Sequence, residues 1–149
     1  MDKVGLQELA TVGEDCLITL YDMNTQQINS KPNAHENSIY TCEFLSKDVL
    51  VSADDDGHIK IWDIRAGNPV YEVKEQTNGT ITDLAINKEK SLLFATSNSG
   101  TLGVYDLRKP NTSKDKLYAM SDEMEEELNC IEFVRVRSKG RGFPGCWNK

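Results

Sequence analysis

The 149-residue sequence predicts an all-β protein, an open array of about three units of four antiparallel strands each. Three observations carry that expectation. The dipeptides Tyr21-Asp22, Trp62-Asp63 and Tyr105-Asp106 recur at intervals of 41 and 43 residues. Each closes an alternating run, CLITLYD, HIKIWD or TLGVYD, and alternation with period 2 marks a strand with one buried face. One apolar spacing (i, i+3, i+5) also appears three times, as Ile39/Cys42/Phe44, Ile81/Leu84/Ile86 and Leu128/Ile131/Phe133.

In chain order, ELATV, the turn GED and CLITLYD make the outer part of a first unit over residues 1–32. A full unit follows over 34–76: the strand of Ile39/Cys42/Phe44, then DVLVSA, the turn DDDG and HIKIWD. The third, over 78–124, repeats the plan with Ile81/Leu84/Ile86, SLLFATS, the turn NSG and TLGVYD. Gly, Asn and Asp supply the positive backbone angles that such tight turns need. Leu128/Ile131/Phe133 open a fourth unit over 127–135, and 136–149 form a basic, glycine-containing, irregular tail. Four short strands every 40 to 45 residues is the blade period of a propeller.

Over residues 9–134 the chain resembles the WD-repeat (WD40) family. In that family a well-formed blade carries a hydrogen-bonded set of His, Ser or Thr, Asp and Trp. The resemblance assigns these roles to His35, Ser52, Asp56 and Trp62. The indole N–H gives to the hydroxyl, the hydroxyl to the imidazole and the imidazole to a carboxylate, so that no polar atom is orphaned inside. The first unit keeps Thr11 and Asp15 but has Tyr21. The third has Asn78, Ala95, Ser99 and Tyr105 and is expected to depend on packing.

The acid cluster SADDDGHIKIWD superficially matches a calcium loop. Ser52 stands where the first acid is needed, Asp63 is shorter than the bidentate Glu, and the flanks alternate as strands where helices are required, so no metal site is expected. Asp54 and Asp55 read as solvated turn residues that discourage edge-to-edge pairing. Catalysis lacks material. The chain has two histidines, one in the network and His58 expected to face solvent. No nucleophile elbow, P-loop or dinucleotide fingerprint occurs. A non-catalytic protein without cofactor or small-molecule substrate is the expectation.

Partner binding is therefore the expected activity, through loops and faces. The runs IWDIR and VYDLR place Asp63, Arg65, Asp106 and Arg108 at matching positions. They resemble the box by which WD-repeat proteins attach to the adaptor of cullin-RING ubiquitin ligases, although Asp54 and Ser99 depart from it. Local turn contacts are the competing reading of these pairs. The acidic run SDEMEEEL over 121–128 reads as a solvated loop or as an attractor of a basic partner. The wording of VGEDCLITLYDMN, NAHENSIYTCEFL and YAMSDEMEEELNCIEF resembles that of family members that act in ribosome production. That resemblance implies a scaffold binding pre-ribosomal factors in the nucleus and nucleolus, with the cytoplasm as a second location. A ligase substrate receptor is the alternative.

The formal charge of −7 is uneven, since the last fifteen residues carry five Lys or Arg and no acid. The first 134 hold twelve basic against 24 acidic residues, a balance that repels phosphate and leaves RNA contact to the tail. Family members carry about seven units, so a truncated form is expected, one that is marginally stable alone or associates. Neither a membrane span nor a secretory signal is recognisable. Cys16, Cys42, Cys130 and Cys146 form no C-x-x-C pair, and Cys16 and Cys42, in strand-like segments, read as reduced, partly buried thiols.

Overall fold

The computed structural model describes residues 8–73, 79–87, 89–109 and 117–133. They form eleven strands in three antiparallel sheets, with no helix among the described residues. The first sheet runs β1 (Glu8–Val12), β2 (Ile18–Asp22), β3 (Gln27–Lys31). The second runs β4 (Ile39–Ser46), β5 (Val49–Asp54), β6 (Ile59–Asp63), β7 (Pro69–Val73). The third repeats that order with β8 (Ile81–Ile86), β9 (Leu92–Ser97), β10 (Leu102–Asp106), β11 (Leu117–Met120). Each strand pairs with its sequence neighbour, as hairpin-length connections dictate.

Alternation decides how the sheets stack. In β5 and β6, Leu50 faces Trp62 and Val51 faces Ile61 across the ladder. Leu50 and Trp62 join Ile18, Leu20, Ala34 and Ile39 in a core between the first and second sheets. The opposite face of β5 and β6 (Val51, Ala53, Ile59, Ile61) packs on Ile81, Leu84, Leu93, Ala95 and Tyr105 of the third sheet. The second sheet is thus covered on both faces, and every residue of β5 after Val49 is buried. Each large side chain so buried contributes about 1.5–3 kcal/mol. The first sheet is covered on one face only, while the outer side of the third is partly covered by the segment after β11. On the bare face of the first, Leu9 opposes Tyr21 and Tyr21 opposes Ile28, with Leu9 54% and Ile28 66% exposed.

Some expectations shift. Cys16 lies in the turn between β1 and β2 with φ of 59°, not in a strand, while Cys42 sits half-buried in β4. Of the fourth unit expected over 127–135, residues 134 and 135 lie outside the described residues; 127–133 are described and join no ladder, because the described residues offer them no neighbouring strand. They are tied to the third sheet instead. The Leu128 N–H donates to the Ser97 carbonyl, Thr82 Oγ1 to the Leu128 carbonyl, and the Ile131 N–H to Asp83. Asn78, Cys146 and the basic tail over 136–149 lie outside the described residues.

Candidate interaction faces and the network that fixes them

The second sheet carries a buried chain of polar side chains. The connection from β3 to β4 is pinned to the turn after β1, Ala34 N–H donating to the Cys16 carbonyl at 3.0 Å and Ile39 N–H to the Gly13 carbonyl at 3.1 Å. That places His35, 3% exposed, over the face of Ser52 and Trp62. Trp62 Nε1–H donates to Ser52 Oγ at 2.9 Å, a diagonal cross-strand contact within an indole's reach. Ser52 Oγ lies 2.7 Å from His35 Nε2, and His35 Nδ1 lies 2.8 Å from Asp54 Oδ2. With the Nδ1–H tautomer the hydroxyl donates to Nε2, and every polar side-chain atom of this chain of contacts has a partner.

The acid of this network is Asp54, which corrects the expectation for Asp56. Ser52 and Asp54 are two apart in one strand, so they share a face, whereas Asp56 lies past the strand end in the turn closed by Gly57 (φ 80°). Asp56 accepts from Asn37 Nδ2 at 2.6 Å in an exposed contact. Asp54, expected as a solvated turn residue, is wholly buried. Its Oδ1 accepts the backbone N–H groups of Asp56 at 3.1 Å and His58 at 2.9 Å. His58, expected in solvent, has a side chain 15% exposed and sets Nδ1 3.3 Å from Asp54 Oδ2. Both histidines of the chain therefore meet one carboxylate. Burial pushes the Asp54 carboxyl up, but the hydrogen bonds from His35 and the His58 backbone and the nearby imidazoles outweigh it and leave it below its ordinary value.

The other two sheets lack this set. In the first, Asp15 caps its own turn through the Leu17 N–H at 3.1 Å, while Thr11 opposes Thr19 across the ladder. In the third, Tyr105 is 1% exposed and burial raises its phenol to about 12. A hydroxyl cluster supports the turn there, Ser97 Oγ meeting Thr101 Oγ1 at 2.7 Å and Ser99 Oγ at 2.8 Å. The sequence reading missed this cluster, whose signal was a Ser-x-Ser-x-Thr run at the end of a strand.

Two arginines stand on matching turns after β6 and β10. Asp63 Oδ1 accepts both the backbone N–H and Nε–H of Arg65 at 3.0 Å, and Oδ2 accepts Nη2–H at 3.0 Å. Asp106 holds Arg108 in the same way, at 3.0, 2.9 and 2.7 Å. The guanidinium beside each acid lowers its carboxyl, that of Asp106 to about 2, and raises the arginine in turn. Each aspartate thus spends its oxygens on the local turn, while each arginine side chain stays 69% exposed with N–H donors to spare. Among the described residues no group of three or more His, Cys, Asp or Glu is arranged to hold a metal ion.

Against known proteins, the family model for the WD domain, G-beta repeat matches residues 26–63 and 67–106. The curated WD repeat-containing protein 55 homolog of Drosophila simulans is 36% identical over 149 residues, covering 95% of this chain and 29% of the relative. That of Drosophila persimilis is 35% identical over 132 residues, covering 88% and 25%. The chain thus spans less than a third of the length of these relatives. Among solved structures, the computationally designed Ika8 protein superposes with a TM-score of 0.70 at 22% identity, over 86% of this chain and 37% of that one. Its likeness concerns the fold alone.

Proposed function

The chain belongs to the WD40 repeat family, and from that premise we propose that it is a non-catalytic interaction scaffold acting in ribosome biogenesis, in rRNA processing, within the nucleus and nucleolus. A protein-interaction role is what WD repeats support; the pathway and location are our reading, supported by likeness to WD repeat-containing protein 55 relatives.

The observation that carries it is the division of labour between interior and face. His35, Ser52, Asp54 and Trp62 are consumed in fixing one sheet, whereas Arg65 and Arg108 present equally held, exposed guanidinium groups on successive sheets. A pre-positioned fork loses little freedom on docking to carboxylates or carbonyls of a partner. Those same two forks favour a second reading, a substrate receptor that docks on a ubiquitin-ligase adaptor through Asp63/Arg65 and Asp106/Arg108.

One experiment separates the two. Tagged chain and its Arg65→Glu/Arg108→Glu variant are recovered from nuclear extract, and bound proteins and pre-rRNA are measured. The scaffold reading expects pre-ribosomal factors on the native chain and altered pre-rRNA intermediates when the protein is depleted. Capture of the ligase adaptor, lost in the double variant with pre-rRNA unchanged, would transfer the assignment to the receptor.

A further inference from the structure

A groove of about 410 Å³ opens between the first sheet and the turn after β6, with Glu8, Asp22, Gln27, Asn29, Ile64 and Arg65 among its lining residues. Two of its acids are set against each other. Glu8 and Asp22 are direct cross-strand partners of β1 and β2, and Gln27 is the partner of Asp22 in β3. Side chains so placed are about 5 Å apart at Cβ, and like charges in that position destabilise a sheet. Glu8 Oε2 is moreover buried without a hydrogen-bond partner, the one such side-chain oxygen or nitrogen among the described residues. Native interiors rarely leave an acceptor in this state, and an unpaired buried carboxylate oxygen is the costliest kind.

The neighbouring cations leave Glu8 Oε2 unpaired. Asp22 is held below its ordinary carboxyl value by the Thr25 and Asn24 N–H groups, with a smaller attraction from Lys47. Arg65 turns Nε and Nη2 to Asp63, with Asp48 3.9 Å from Nη1, and its remaining N–H groups point elsewhere than to Glu8 Oε2, which has no hydrogen-bond partner. Lys31 Nζ donates to the Ala66 carbonyl. Among the described residues no ion pair reaches Glu8 or Asp22. Asp22 Oδ1 is held by the Asn24 and Thr25 N–H groups at 2.8 and 3.1 Å. The groove therefore has one orphaned carboxylate oxygen, a second carboxylate opposite it, and amide side chains alongside.

We propose that this groove is a receptor for an arginine side chain of a partner protein, whose guanidinium bridges Glu8 and Asp22. A planar fork with five N–H donors can serve two carboxylates at once, supply the missing donor to Oε2, and cancel the cross-strand repulsion. A lysine ammonium, a compact charge, spans such a pair less well. The apolar wall of Leu20 and Ile64 suits the methylene stem. The proposal deepens the scaffold reading by giving the partner's chemistry, and it rests on that reading only for the partner's physiological role.

The test uses the full chain at low ionic strength and the peptide N-acetyl-Gly-Arg-Gly-amide, followed by backbone-amide NMR. Saturable shifts confined to the surroundings of Glu8, Asp22, Gln27 and Ile64 are expected. Binding should weaken about tenfold or more in Glu8→Gln and vanish for the uncharged citrulline peptide. Without peptide, Glu8→Gln should raise the unfolding midpoint, because it removes one of two opposed charges. Absence of saturable shifts, equal binding of the citrulline or lysine peptide, or a lowered midpoint for Glu8→Gln would each overturn the proposal. A null titration with a chain that still captures nuclear partners overturns the groove and leaves the scaffold reading intact. Saturable binding with no partner recovered does the reverse.

Discussion

Asp54 is the residue on which the second sheet's polar interior turns, since it anchors His35, stands beside His58 and caps its own turn. Removing one member of a buried, charge-assisted set costs about 3 kcal/mol or more, so Asp54→Ala should lower the unfolding free energy by that order. Asp56→Ala, which loses an exposed contact with Asn37, should stay within about 1 kcal/mol of the native chain. Urea titration of both checks the assignment, and equal losses at the two positions would refute it. The same residue sets an acid dependence. Its folded-state carboxyl titrates below the ordinary value, so its contribution is complete above the unfolded-chain value near 4 and is lost as pH falls through the lower folded one. Asp54→Asn should therefore flatten the stability curve below about pH 4 and leave its slope near neutrality unchanged; unfolding curves at a series of pH values read this directly.

At the scale of elements, the strands were legible because alternation and repeat spacing agree: burial alternates at the start of β2 and β10, whereas β5, covered on both faces, is buried from Leu50 to Asp54. What alternation could not place was the segment after β11. It lies against the third sheet because Gly100, at φ +78°, lets backbone approach backbone: a Cβ there would sit 2.5 Å from the Met124 carbonyl oxygen and 2.8 Å from that of Glu126. Neither is a movable side chain. Gly100→Ala should cost about 1–3 kcal/mol through strain and displacement. It should also speed amide exchange at Met124 and Leu128, whose N–H groups donate to the Gly100 and Ser97 carbonyls. Unchanged exchange at both would mean that the segment is held by its own side chains. The acidic run from Ser121 to Leu128 is thus tied along the third sheet by its backbone, although its side chains are mostly exposed.

At the scale of the molecule, the sequence repeat and the sheet are out of step. The two matched repeats, 26–63 and 67–106, each begin with the outer strand of one sheet, β3 or β7, and end with the third strand of the next, β6 or β10. Every repeat therefore laces two sheets together, and neighbouring sheets should unfold as a unit. The outer face of the first sheet remains open, and that of the third is only partly covered. Leu9 and Ile28 are more than half exposed on the first sheet, and Phe133, 44% exposed, stacks edge-on against Phe94 at 5.1 Å on the third. Exposed apolar faces of this kind favour association. The chain should sediment with a concentration-dependent mass, and Leu9→Lys/Ile28→Lys should shift it toward monomer. A native chain that stays monomeric and melts cooperatively at every concentration would contradict the expectation.

The sequence by itself determined the class, the strand-and-turn order and the repeat period, which are properties of local periodicity. Three members of the buried network, His35, Ser52 and Trp62, came from the family resemblance that the sequence carries. Only the tertiary structure decided that Asp54 supplies the acid, that His58 turns inward, and that Glu8 and Asp22 confront each other at a groove. Such facts depend on which strand faces which and where each strand ends. A shift of two residues along one strand, invisible to a motif count, separates a carboxylate on the inner face from one in solvent.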